Sequence, residues 1–117
     1  MHLAHHRSVS LSSSPPPPIL LFAYGGFAWA QEPKWDPLFS TFMAMGGVVA
    51  VAGIRGGNEY GIDWHSAAIK GKRQNGYDDV IEAARWLKKE SGGNGKVAVY
   101  GSSNGTCSYD GRRRQDC

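Results

Sequence analysis

A serine flanked by small residues lies near the carboxyl end of the chain, in the stretch Gly101-Ser102-Ser103-Asn104-Gly105. In many hydrolases this Gly-x-Ser-x-Gly spacing forms a tight strand-to-helix turn. The turn lifts the serine hydroxyl clear of a sheet and points the next backbone N–H at a developing oxyanion. On its own the pattern also fits a solvated Gly/Ser/Asn turn. The apolar strand predicted just before it, at 97–101, favours Ser103 as a nucleophile.

A second group of chemically capable side chains occupies the loop around residues 55–65. It contains Arg55, Glu59, Asp63 and His65, and His65 is the only histidine after the first six residues. In hydrolases with a nucleophilic turn of this kind, the acid and the histidine follow the serine in the chain, whereas His65 precedes Ser103. We therefore interpret Arg55, Glu59 and His65 as residues that order the loop, with a base role for His65 as the alternative.

Composition excludes several classes of function. The 117 residues are 41% hydrophobic and 20% charged, as is usual for one small globular domain. The net charge of +3 comes largely from Arg112, Arg113 and Arg114 and lacks interleaved aromatics, so we do not expect nucleic-acid binding. Cys107 and Cys117 form no zinc spacing, and no metal or organic cofactor is predicted. No apolar run is long enough to span a membrane.

Three apolar runs alternate with two helical patterns. Runs at 19–24, 47–54 and 97–101 predict strands buried on both faces, as in a parallel sheet. The pattern at 36–47 begins with Asp36 and Pro37, which suit a helix start. The pattern at 75–93 begins with Asn75 as a cap and ends at glycines. The order strand, helix, strand, helix, strand predicts a doubly wound α/β fold with a parallel sheet and covering helices.

The two ends of the chain differ from this middle part. Residues 1–14 lack apolar periodicity, and four prolines follow them, so residues 1–17 are predicted to be disordered. Residues 106–117 form a polar, basic tail. Ala28-Trp29-Ala30 after an apolar stretch has the shape of a signal-peptide cleavage site, but the prolines and Gly25-Gly26 interrupt that stretch. A cytoplasmic location is therefore expected, and the alternative is a small secreted basic protein cleaved after Ala30.

Four blocks of sequence, in order, resemble the catalytic domain of the prolyl oligopeptidase family of serine peptidases. They are PPPPILLFAYGGF, GGVVAVAGIRGGNEYGIDWH, KRQNGYDDVIEAARWL and KVAVYGSSNG, and together they cover about residues 18–105. The resemblance implies a partial α/β-hydrolase fold that cleaves short peptides after proline. Asn104 and the run Tyr24 to Phe27 favour the prolyl endopeptidase branch of the family.

The resemblance also assigns roles to four positions. Ser103 would form the acyl-enzyme, and the backbone N–H of Asn104 and the phenol of Tyr24 would stabilise the oxyanion. Phe27 would form a wall of the apolar pocket for the proline ring of the substrate. Without the resemblance, Tyr24 and Phe27 could equally be core aromatics.

The sequence departs from the family after Gly105. The segment TCSYDGRRRQDC replaces an expected apolar helix, and no histidine follows Ser103. Because an unassisted serine hydroxyl is a poor nucleophile, we expect the chain alone to be inactive. The fold is expected to be incomplete at both ends, with a truncated or out-of-frame tail. Its open strands would then favour non-specific self-association, so a non-catalytic product acting through association is the alternative function.

Overall fold

The computed structural model describes residues 1–101 of the 117-residue chain. Four strands and three α-helices, with a short 3₁₀ turn at Lys70–Lys72, make up this part of the chain. In chain order they are β1 (His2–His5), β2 (Ile19–Ala23), α1 (Pro37–Ala44), β3 (Val48–Ala52), α2 (Ile62–Ser66), α3 (Gln74–Glu90) and β4 (Val97–Tyr100).

The strands form one sheet in the order β1-β3-β2-β4. β2 runs parallel to β3, with Ile19 opposite Val48, and parallel to β4, with Phe22 opposite Tyr100. β1 runs antiparallel to β3. The predicted α/β class with a mostly parallel sheet is confirmed.

Helices cover opposite faces of the sheet. Successive side chains of a strand point to opposite sides, so each face presents its own set of residues to a helix. On one face the alternate residues of β2 and β3 pack against Val80 and Leu87 of α3. The fully buried residues of the strands on that face are Ile19, Leu21, Ala23, Val48 and Ala50. On the other face the ring of Phe22 meets Phe39 of α1 edge-on, with centroids 5.6 Å apart. A sheet with helices on both faces is the arrangement expected for the predicted doubly wound fold.

The start of α1 follows the prediction, but the start of α3 does not. The Asp36 carboxylate accepts hydrogen bonds from the backbone N–H groups of Leu38 at 2.8 Å and Phe39 at 3.2 Å. The predicted cap of α3, Asn75, instead lies inside the helix, which begins at Gln74. Its Nδ2 donates to the carbonyl of Ala67 at 2.8 Å, so this side chain fastens the preceding loop to the helix.

The N-terminal segment is more ordered than the sequence predicts. His2–His5 pairs with β3, whose edge would otherwise present unpaired backbone groups. Val9 and Leu11 pack against the core, although two alternate apolar residues are too few to predict a strand. The sequence predicts disorder for this segment, whereas the structure gives it a strand and two apolar contacts.

β4 is a strand, as predicted, but it is not buried on both faces. Ala98, Val99 and Tyr100 are exposed in the described part of the chain. β4 is the last strand on that side of the sheet formed by residues 1–101, where its main contacts are with β2 and α3. Within residues 1–101 no helix combines the length and the apolar character that crossing a bilayer requires.

Candidate active site

The predicted site residues follow two neighbouring strands. Tyr24 and Phe27 come directly after β2, whereas Ser103 and Asn104 come after β4 and lie outside the described residues. Because β2 and β4 pair in parallel, with Phe22 opposite Tyr100, their carboxyl ends meet at the same edge of the sheet. In open α/β sheets this edge is where ligands bind. The structure thus places the residues after β2 next to the end of the strand that leads to Ser103.

Residues 24–31, called here the Tyr24 loop, leave β2 and shape the surface at this edge. The Tyr24 ring is half-buried and meets the ring of Trp29 edge-on, with centroids 6.5 Å apart at 84°. Both rings line a cavity of about 620 Å³ together with Phe22 and residues 30–34. Trp29 is thus a residue of this surface that the nucleophile motif does not indicate, and its signal in the sequence is an aromatic residue five positions after Tyr24.

Phe27 lies at the tip of this loop. Its φ of 53° and that of Ala28, 54°, are left-handed, and the N–H of Trp29 donates to the carbonyl of Gly26 at 3.0 Å. This tight turn leaves the Phe27 side chain 78% exposed. Phe27 is therefore not a core aromatic, which removes one of the two interpretations of this residue.

Two side chains from the connection between β3 and α3 contact the Tyr24 loop. Arg73 donates from Nη1 to the carbonyl oxygen of Gly25. The Glu59 carboxylate accepts a hydrogen bond from the backbone N–H of Gln31 through Oε1 at 3.0 Å. Glu59 Oε2 is buried and has no hydrogen-bond partner among residues 1–101. The contact of Glu59 agrees with its loop-ordering interpretation, whereas no motif in the sequence indicates Arg73.

The connection itself is fastened to α3 by a part-buried ion pair. Arg55 donates from Nη2 to Asp79 Oδ1 at 2.7 Å and from Nε to Oδ2 at 2.9 Å. The backbone N–H of Arg55 also donates to Oδ2 at 2.9 Å. The hydrogen bond to Asp79 raises the pKa of Arg55 above its usual value, and the charges of Asp79 and Asp78 act in the same direction against desolvation. These contacts support the loop-ordering interpretation of Arg55.

His65 contacts the backbone of the same connection. Its Nδ1 lies 2.7 Å from the carbonyl oxygen of Gly56, whose N–H donates to the carbonyl of Trp64 at 3.1 Å. One ring nitrogen of His65 is therefore engaged in holding a turn, which agrees with the loop-ordering interpretation of this residue. The described residues contain no cluster of three His, Cys, Asp or Glu side chains that could hold a metal ion.

Comparison with known proteins adds to this geometry. The model of the prolyl oligopeptidase family matches residues 34–109. Prolyl oligopeptidase A of Amanita bisporigera is 39% identical over 107 residues, which are 90% of this chain and 14% of that protein. Prolyl endopeptidase of Elizabethkingia miricola is 40% identical over 90 residues, 75% of this chain and 13% of that protein.

Solved structures give the same result. Apo prolyl oligopeptidase B from Galerina marginata superposes with a TM-score of 0.83 at 34% identity, covering 91% of this chain and 15% of that one. A post-proline cleaving enzyme from Rickettsia typhi superposes with a TM-score of 0.80 at 29% identity and also covers 91% of this chain and 15% of that one. The chain therefore spans about 14% of the length of the curated relatives that it matches over most of its own length.

Proposed function

Because the chain belongs to the prolyl oligopeptidase family, we propose that it supplies the nucleophile and the oxyanion-stabilising groups of a serine endopeptidase site. The substrates of that site are short peptides, cleaved after proline. The observation that carries the proposal is the parallel pairing of β2 with β4. This pairing sets the Tyr24 loop beside the strand that precedes the Gly-x-Ser-x-Gly turn.

The proposed reaction is acyl transfer. Ser103 Oγ attacks the carbonyl carbon of the peptide bond after proline and gives its proton to a general base. The resulting oxyanion accepts hydrogen bonds from the backbone N–H of Asn104 and the phenol O–H of Tyr24. The C–N bond then breaks, and the amine leaves with the proton. Water hydrolyses the ester to release the acid and restore the Ser103 hydroxyl.

The general base is the part of this mechanism that the 117 residues lack. No histidine follows Ser103, and His65 precedes it by a helix and a strand, which is not the chain order of hydrolases with this turn. General acid–base catalysis contributes about 10²–10⁴-fold to the rate of such reactions. The 117-residue chain is therefore expected to react with acylating reagents at Ser103, but slowly.

Phe27 is the proposed substrate contact. Its ring is exposed at the tip of the Tyr24 loop, where it is free of core packing. A flat aromatic face suits the apolar proline ring, and burying it against substrate would remove a large apolar surface from water. Trp29, beside Tyr24, extends the same aromatic surface towards the cavity.

A fluorophosphonate probe tests the proposal on the 117-residue chain. We expect labelling confined to Ser103, located by mass spectrometry and about 10²–10⁴-fold slower than for a complete peptidase of the family. Ser103→Ala should abolish labelling and Ser102→Ala should leave it unchanged. Labelling spread over several serines would contradict a formed nucleophile site. Labelling as fast as in a complete peptidase would contradict the claim that these 117 residues lack a general base.

A non-catalytic role in association is the second candidate. It is favoured by the exposure of β4, where Val99 and Tyr100 are 37% and 42% accessible, since an exposed apolar edge strand promotes pairing between chains. Sedimentation velocity on the wild-type chain and on Val99→Lys tests it. Concentration-dependent association that the lysine abolishes would support this role, and a monomer at all concentrations would refute it.

A further inference from the structure

We propose that Arg73 and Glu59 are positioning residues that hold the two ends of the Tyr24 loop, and thereby fix where the Tyr24 phenol lies relative to the end of β4. The importance of this position for catalysis rests on the proposed function. The two contacts themselves are properties of the fold. They join positions that are 48 and 28 residues apart in the chain.

Arg73 holds the first end of the loop. Its Nη1 donates to the carbonyl of Gly25, the residue that follows Tyr24. The guanidinium lies 5.4 Å from the centroid of the Tyr77 ring, and this cation–π contact limits its freedom. A Cβ at Gly56 would lie 2.3 Å from Gly25 O, so the two backbone segments are in direct contact here. Only glycine at position 56 leaves room for this approach.

Glu59 holds the second end of the loop. Its Oε1 accepts from the N–H of Gln31 at 3.0 Å. The side chain lies over two glycines, since a Cβ at Gly53 would come within 2.9 Å of Glu59 Cγ and one at Gly57 within 2.1 Å of Oε2. The side chain is therefore confined by the backbone at these two glycines. A confined acceptor fixes its donor more closely than a mobile surface carboxylate does.

The segment between the two contacts needs such support. It contains the left-handed pair Phe27 and Ala28, and isolated residues in that region are strained and persist only when their surroundings impose them. An oxyanion donor must also be held within about 0.5 Å of its working position to be effective. Because both holding residues come from the connection after β3, the Arg55–Asp79 pair links the Tyr24 loop to α3.

Nuclear magnetic resonance of the 117-residue chain tests the inference without any reaction at Ser103. The variants are Arg73→Met, Arg73→Lys and Glu59→Met, which leaves no acceptor for the Gln31 N–H, and the control is Arg85→Met, which removes an arginine that pairs with Glu82 on the exposed side of α3. We expect Arg73→Met and Glu59→Met to speed amide exchange in residues 25–31 by about tenfold. The same variants should shift the Trp29 indole signal, assigned with Trp29→Phe. Exchange in α3 should stay unchanged.

The conservative variant separates positioning from general stabilisation. Arg73→Lys keeps one cationic donor and should restore most of the protection in residues 25–31. The inference is overturned if residues 25–31 exchange no faster in Arg73→Met and Glu59→Met than in Arg85→Met. Loss of all dispersed signals in both variants would assign these residues to folding of the whole chain and would equally overturn it. Since neither readout depends on Ser103, failure here and failure of the proposed peptidase site remain distinguishable.

Discussion

Arg55 and Asp79 join the end of β3 to α3: the backbone N–H, Nε and Nη2 of Arg55 all donate to the one carboxylate. Their side chains are 31% and 22% accessible, so the pair is partly shielded from water. Hydrogen bonds to charged groups in such settings contribute about 1.5–3 kcal/mol each at most and are not additive. This pair therefore fixes the connection from which Arg73 and Glu59 reach the Tyr24 loop.

Replacing Asp79 with asparagine should lower the free energy of unfolding by about 2 kcal/mol, because it leaves the Arg55 guanidinium without its counter-charge. Urea denaturation followed by circular dichroism measures the change. The matched control is Glu82→Gln, which breaks the exposed pair with Arg85 and should cost less than about 0.5 kcal/mol. Equal losses in both variants would contradict a special role for Asp79.

Ionisation of Arg55 should not make the free energy of unfolding depend on pH between about pH 6 and 9. The pKa of Arg55 is raised in the folded chain, first by the hydrogen bond to Asp79. A cationic group whose pKa is raised by folding stabilises the folded state fully at any pH below its unfolded-state pKa. This stabilisation is lost only as pH rises through the folded-state pKa. Unfolding free energies of wild type and Arg55→Met should therefore differ by a constant amount between about pH 6 and 9. A difference in unfolding free energy that becomes smaller between about pH 6 and 9 would contradict a raised pKa of Arg55.

Gly25→Ala should destabilise the chain more than the same change at Gly92. Both glycines have left-handed φ angles, +60° and +72°, so both variants carry about 1 kcal/mol of backbone strain. A Cβ at Gly25 would also lie 2.4 Å from Ile54 Cδ1, whereas nothing lies within 4 Å of one at Gly92. Overpacking adds about 1–3 kcal/mol. Urea denaturation of the two variants isolates this term, and equal midpoints would contradict the close approach.

Most of the fold could be predicted from sequence because local signals specify it. Asp36 followed by Pro37 marks a helix start whatever surrounds it, and the apolar runs at β2 and β3 are long enough to indicate burial on both faces. β1 could not be predicted, because His2–His5 carries little strand signal and forms only where the edge of β3 offers a partner. The exposure of β4 likewise depends on which strands lie beside it, and its own residues do not encode that.

Ala4→Pro tests the pairing of β1 with β3. Proline removes a backbone donor and restricts φ, so it should disrupt the antiparallel ladder in which Ala4 lies opposite Val49. We expect a lower midpoint of thermal unfolding and increased light scattering as the edge of β3 becomes accessible. Ala4→Ser keeps the donor and is the matched control. Identical scattering for the two variants would show that β1 does not protect this edge.

Tyr24→Phe tests the oxyanion role of the phenol while keeping the ring that packs against Trp29. Removing one oxyanion donor slows such reactions by about 10²–10³-fold. The rate of fluorophosphonate labelling at Ser103 should therefore fall about 100-fold, with little change in the unfolding midpoint. Tyr60→Phe, at a site 72% exposed, is the control and should label at the wild-type rate. An unchanged rate in Tyr24→Phe would remove Tyr24 from the site.

The strands that carry the candidate site could be predicted from the sequence, whereas the side chains that support the Tyr24 loop could not. Two consecutive parallel units bring the ends of β2 and β4 together, so the proximity of Tyr24 to the strand before Ser103 follows from the element pattern and the family resemblance. The contacts of Arg73 and Glu59 are with backbone atoms of Gly25 and Gln31. Backbone groups carry no residue-type signature, so no sequence pattern identifies such partners.

The antiparallel contact between β1 and β3 also has a consequence during synthesis. His2–His5 leaves the ribosome about forty residues before Val48–Ala52, its only strand partner in the described sheet. At about 5–20 residues per second, the first strand waits several seconds with its backbone groups unpaired. A nascent chain that stalls before Ala52 would therefore present this strand to chaperones or to other nascent chains.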